Sequence, residues 1–128
     1  MRPEDNPQNW HQQKTYDSLM TYGLNAIKFV LVANGGAVLA LLTFVGNHTE
    51  KTKGLRCTMI WFVLGVFIGG VVNILAYLTQ LSLFNQRQAG VSWWQDHRTY
   101  LYSAMVLILV GIMCFGAGAL EAVFALTV

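Results

Sequence analysis

The chain has 128 residues, of which 55% are hydrophobic and 11% charged, with a formal charge of +2. A soluble domain carries about 25% charged residues, and so short a chain has too much surface to bury this much apolar side chain in a core surrounded by water. Lipid therefore has to cover much of it, and the small, scattered positive charge offers no nucleic-acid-binding patch.

The first twenty-two residues, MRPEDNPQNWHQQKTYDSLMTY, are polar. A cleavable signal peptide has a short apolar stretch directly after its basic start, so none is expected. Asn6 and Pro7 suit an N-cap and first helical residue, which predicts a helix from about Pro7 running into the first apolar run. Trp10, Tyr16, Leu19 and Met20 make Pro7–Tyr22 either an interfacial amphipathic helix or a cytoplasmic extension of the first span. Two units follow: a polar, helical segment over 1–23 and a transmembrane domain over 24–128.

Crossing about 30 Å of hydrocarbon takes about 20 helical residues, and only helices or closed barrels satisfy their backbone hydrogen bonds there. Three runs have the length, at about 24–46, 55–84 and 99–126. Their only charges are Lys28, Arg56 and Glu121 respectively. None alternates with the period of two that a barrel strand shows. The fold class is thus an all-α membrane protein with three transmembrane helices and an N-terminal helical extension.

Gly46-Asn47 ends the first helix, and a polar turn runs to Gly54. Gly90 stands where a C-terminal glycine is expected after the second helix. Ser92-Trp93-Trp94-Gln95 fits a capping box for the third. Trp10, Tyr22, Trp61, Trp93, Trp94, Tyr100 and Tyr102 lie where interfacial aromatics belong. With three spans the N-terminus and the loop 85–98 share a side, carrying Arg2, Lys14, Lys28, Arg87 and Arg98. Lys51, Lys53 and Arg56 lie on the other. The positive-inside rule then favours a cytoplasmic N-terminus.

Helices in lipid associate through small residues that let backbones approach and through interhelical hydrogen bonds. In span one Ala33, Gly36, Ala37 and Ala40 share a face, with Asn34 and Gly35 beside it. In span two Gly65, Gly69, Asn73, Ala76 and Gln80 fall within a stripe about 80° wide. In span three Ala104, Gly111, Gly118 and Ala125 recur every seven residues, a seam that supercoils left-handed, with Cys114 and Glu121 flanking it. Asn34, Asn73 and Gln80 are either polar contacts between helices or the lining of a polar path. The candidate packing or lining residues are therefore Asn34, Gly36, Ala40, Gly65, Gly69, Asn73, Gln80, Gly111, Gly118 and Glu121. Glu121 is the one acid inside a span, and an ionisable group at that depth is a functional candidate, although its closeness to the end of the span lets it reach water. Lys28 reads as an anchor that snorkels to the headgroups.

No catalytic, cofactor or metal site emerges. His11, His48 and His97 lie outside or at the ends of the spans, which disfavours a haem held between helices, and no Cys/His set has zinc spacing. Cys57 and Cys114 lie in apolar runs without disulfide spacing and read as reduced. Asp96-His97-Arg98 is more simply a solvated loop than part of a catalytic set, and the expectation is that the protein is not an enzyme.

The stretch Ala33-Asn34-Gly35-Gly36-Ala37-Val38-Leu39-Ala40-Leu41-Leu42, the following Phe44-Val45-Gly46, and Ala76-Tyr77-Leu78-Thr79-Gln80 resemble a pattern in small bacterial inner-membrane proteins with three spans. The resemblance covers about 25 residues and implies a bacterial or phage origin and an inner-membrane location, but no activity. The extramembrane parts are too small to catalyse. The expected function is therefore a homo-oligomer that forms a pore or permeabilises the membrane, like a holin or a phage-defence effector. One alternative is an anchor or accessory subunit of a larger membrane complex, such as those of succinate dehydrogenase, although their in-span histidine is missing. A second is a small solute channel or transporter, for which Gly35-Gly36 and Gly69-Gly70 would mark broken helices. The expected partners are lipid and further copies of the chain.

Overall fold

The computed structural model describes residues 7–47, 54–85 and 97–127, with side chains over 10–47, 54–82 and 98–127. The described residues form three α-helices and no strand: α1 (Pro7–Asn47), α2 (Leu55–Asn85) and α3 (His97–Thr127). All three are long and apolar enough to cross a membrane, and the chain is a multi-pass membrane protein. The helical starts and stops follow the local signals. Pro7 opens α1, its missing N–H being one that a first helical turn leaves unpaired in any case. Asn47 closes α1, and Gly54 forms the turn before α2. The glycine after α2 and the Ser92–Gln95 capping box lie outside the described residues, as do Asn6, Trp93, Trp94, Lys51 and Lys53.

No glycine among the described residues has a positive φ. Gly35-Gly36 and Gly69-Gly70 are thus ordinary helical residues, and α1 and α2 run through them unbroken. At 1.5 Å per residue the 41 residues of α1 extend about 62 Å, twice the hydrocarbon thickness. The 31 residues of α2 and of α3 extend about 46 Å each.

The helices pack as an up-down-up bundle. A Cβ placed on Gly65 would meet Asn34, and one on Gly69 would meet Leu31 and Val30. Near the far end of α2, Gln80 reaches Met20. These pairs run in opposite directions, so α1 and α2 are antiparallel. Gly54 faces Ala125, Phe62 faces Gly118 and Ile68 faces Gly111, so α2 and α3 are antiparallel as well. The α2–α3 interface is the most extensive, and α1 meets α2 more than α3. The core is a thin column of Ile27, Ile68, Val72, Ala104 and Cys114, flanked by Leu31, Leu75, Ala76, Leu107 and Ile108. Val32, Leu39, Phe67, Leu109, Met113 and Phe124 point outward and are all more than 60% exposed. That much apolar surface calls for acyl chains or other apolar helices around it in place of water.

Candidate functional site at the three-helix crossing

The helix register also sets depth. Lys28 lies level with Val72, between the Gly69–Leu31 and Gln80–Met20 contacts. Glu121 lies level with Thr58, between the Gly54–Ala125 and Phe62–Gly118 contacts. From Thr58 to Val72 along α2 is about 21 Å. Asn34 and Gly65 fall midway, near the centre of the bilayer.

Asn34 is wholly buried there. Its Nδ2 donates to the Val30 carbonyl one turn back at 2.8 Å and to the Gly111 carbonyl of α3 at 3.3 Å. Its Oδ1 has no hydrogen-bond partner and is pressed towards Gly65 of α2. One amide thus touches all three helices. The glycines around it are holes. A Cβ on Gly69 would lie 2.7 Å from Leu31 Cδ2, and one on Gly111 would lie 2.7 Å from Val30 Cγ1. One on Gly118 would lie 2.9 Å from the Phe62 ring. The Phe62 ring in turn packs on Phe115 at 5.8 Å, and Phe115 meets Phe29 at 6.2 Å. The seven-residue seam on α3 is the face it turns inward: Ala104, Gly111 and Gly118 are buried and Ala125 half-buried.

On α1 the contact face is Ile27, Val30, Leu31 and Asn34 rather than the small-residue ridge beside it. Gly36 and Ala40 are exposed, Ala33 and Ala37 half-buried, and open space surrounds Gly36. The reason is complementary shape. α2 and α3 supply the holes, so α1 needs knobs, and Val30 and Asn34 are the knobs. On α2 the predicted stripe divides: Gly65 and Gly69 are buried, Ala76 is half-buried, and Asn73 and Gln80 are exposed. Gln80 donates to the Met20 sulfur at 3.8 Å.

A second polar pair lies towards the other end. Thr58 is completely buried and its hydroxyl has no partner. Glu121 is half-buried, with Oε2 covered and also without a partner among the described residues. Thr15, Ser18, Thr21, Thr43, Thr79 and Thr127 all return their hydroxyls to their own helix carbonyls, which sets Thr58 apart. Sequence reasoning passed over Thr58, although Leu55, Thr58, Phe62 and Gly65 step by three, four and three and so mark one helical face. The site brings together Asn34, Gly65, Gly69, Gly111 and Gly118. It leaves Gly36, Ala40, Asn73 and Gln80 on the outside and Glu121 one level away. Among the described residues no group of three His, Cys, Asp or Glu side chains could hold a metal ion.

No protein-family model matches the chain, and no curated protein or solved structure matches it.

Proposed function

We propose that this protein assembles with copies of itself into a pore-forming or membrane-permeabilising oligomer of a bacterial inner membrane, with a cytoplasmic N-terminus and no enzymatic role. The observation that carries the reading is the uncovered ridge on α1. Gly65 and Gly69 of α2 and Gly111 and Gly118 of α3 are consumed inside the bundle, whereas Gly36 and Ala40 keep a small, shallow face towards lipid. Small residues at that spacing admit close helix approach in a bilayer. A second feature supports it. Rotation about the membrane normal preserves depth, and the exposed Arg56 lies close to the depth of Glu121. A neighbouring copy can therefore bring a guanidinium to a carboxylate that has no partner among the described residues.

The test is to express the chain in bacteria and follow membrane potential with a voltage-sensitive dye. Depolarisation that is lost in Gly36→Leu, with equal amounts of inserted protein, supports the reading. Unaltered potential at high expression overturns it. Purification in mild detergent separates the accessory-subunit reading, which requires a stoichiometric second protein where self-assembly requires copies of this chain alone.

A further inference from the structure

The α1–α2 seam has an outer rim that neither the bundle nor the self-assembly reading uses. Lys28 lies seven residues before Gly35 and three before Leu31, which face Val66 and Gly69 of α2. Those intervals keep it on the α2-facing side of α1. Asn73 lies seven residues after Val66 and seven before Gln80, which face α1. The two residues sit at almost the same depth on facing helix surfaces, and both are exposed. Ile27 and Val30, well round α1 from Lys28 and with Val30 against Gly111 of α3, are buried, so Lys28 and Asn73 stand on the open side of the seam, away from α3. Tyr77 continues the rim one turn along α2 and is 66% exposed. It is level with Gly23, about 7 Å further towards the N-terminal surface than Lys28. A lysine stem spans that distance when it snorkels.

The three side chains make a donor-rich set: an ammonium, a carboxamide N–H₂ and a phenol O–H. Among the described residues Lys28 has no ion pair. The acids nearest along α1 and α3 are remote. Asp17 lies about 16 Å further out and Glu121 about 21 Å deeper along the helix axes. An exposed carboxamide within a span is costly unless something polar meets it, and the charge at this rim calls for an anion. A second copy cannot supply one, because rotation about the membrane normal brings Lys28 to the depth of Lys28 and no acid with it. Lys28 lies about 10 Å from the level of Gly65, within the hydrocarbon half-thickness of about 15 Å, so its ammonium meets the lipid phosphodiester by snorkelling outward to the level of Tyr77. We propose that Lys28 and Tyr77 form a binding site for the headgroup phosphate of an anionic phospholipid in the leaflet on the N-terminal side, with Asn73 one turn below the ammonium and the phenol, towards the lipid's ester carbonyls. The lipid's acyl chains would lie along the α1–α2 seam. This assigns Asn73 to a lipid-facing rim and not to a lumen.

The experiment uses the full chain in detergent, with fluorescent phosphatidylglycerol displaced by unlabelled phosphatidylglycerol, phosphatidylcholine or inorganic phosphate. The expected result is a preference of about five-fold for phosphatidylglycerol over phosphatidylcholine, the factor that one lysine near an anionic surface supplies, with no displacement by millimolar phosphate. Lys28→Gln should abolish the preference and Lys28→Arg should keep it. Tyr77→Phe should weaken it, and Arg56→Gln, at the opposite end of the bundle, should leave it intact. Lys28 is exposed, so its loss does not endanger the fold. Equal binding of the two lipids, an unchanged preference in Lys28→Gln, or displacement by inorganic phosphate would each overturn the proposal. Because the readout is lipid binding and not depolarisation, its failure leaves the self-assembly reading standing, and the reverse also holds.

Discussion

The contact between Asn34 and Gly65 yields the most quantitative expectation. A methyl on Gly65 would occupy the space of the Asn34 amide. The amide has only two torsions with which to retreat, and turning away breaks its bond to the Gly111 carbonyl. An interhelical hydrogen bond of this kind contributes about 0.6 kcal/mol in membrane proteins, at most about 1.7, and overfilling a packed site costs about 1–3 kcal/mol. Gly65→Ala should therefore destabilise the bundle by about 2–3 kcal/mol. Asn34→Ala loses the same bond but also removes the buried, unpartnered Oδ1. An unmet acceptor costs about 1–3 kcal/mol, so the two changes largely offset each other and the net effect should stay within about 1 kcal/mol. In the Asn34→Ala background the new methyl at Gly65 enters vacated space, and alanine is the better helix former. The second substitution should then cost nothing. The coupling energy should exceed about 1 kcal/mol, within the range for residues in contact. The measurement is unfolding by SDS titration from mixed micelles, followed by a donor–acceptor pair on α1 and α3. Additivity within about 0.3 kcal/mol would show that Asn34 does not fill the hole at Gly65.

Alanine at the other glycines should separate by what stands in the way. Gly111→Ala meets Val30, a fully buried β-branched side chain with little rotamer freedom, and should cost more than Gly69→Ala, which meets the yielding, half-buried Leu31. Gly36→Ala and Gly70→Ala meet nothing within 4 Å and should leave monomer unfolding unharmed in the same titration. Thr58→Val replaces a buried hydroxyl that has no partner by a methyl of like shape, and should raise stability by about 1 kcal/mol; a loss would mean that the hydroxyl is in use. In the assembled protein, Arg56→Glu or Glu121→Arg should each reduce the oligomer seen by cross-linking in membranes, and the double exchange should restore it. Failure of the exchange to rescue would remove the proposed pair. Maleimide in mild detergent should modify the exposed Cys57 and spare the buried Cys114, giving one adduct by mass and two after denaturation in SDS.

The spans were legible because length and the scarcity of charge at membrane depth are one-dimensional properties, and Lys28, Arg56 and Glu121 are the only interruptions. The inward seam of α3 was legible for a similar reason, since a strict step of seven leaves Ala104, Gly111 and Gly118 on one face whatever packs against it. The contact face of α1 was not. Small residues permit close approach from either partner, and the glycines of α2 and α3 already provide it, so the complementary surface on α1 is the one with protruding side chains. Nothing within α1 distinguishes Val30 and Asn34 as knobs until the holes opposite are known. The exposure of Asn73 and Gln80 has another cause. They continue the stripe of Gly65 and Gly69 at its edge, and a shift of tens of degrees round the helix decides between seam and lipid.

The arrangement makes α1 the least committed helix. α2 and α3 share the most extensive interface, and matched glycines and rings join them from Gly54–Ala125 to Gly111–Ile68. α1 is held by Val30, Leu31 and Asn34 in the middle and by a weak Gln80–Met20 contact near its N-terminal half. The hydrogen bond from Asn34 to α3 is long, and the acceptor on the same amide is unmet. α1 also carries the exposed Gly36–Ala40 ridge on one flank and Lys28 on the other. A neighbour that grips the ridge therefore competes with only a few contacts for the position of α1, whereas separating α2 from α3 would require opening several close-packed levels at once. Assembly that rearranges this bundle should act through α1, so cysteine pairs that lock α1 to α2 should block permeabilisation while pairs that lock α2 to α3 should not.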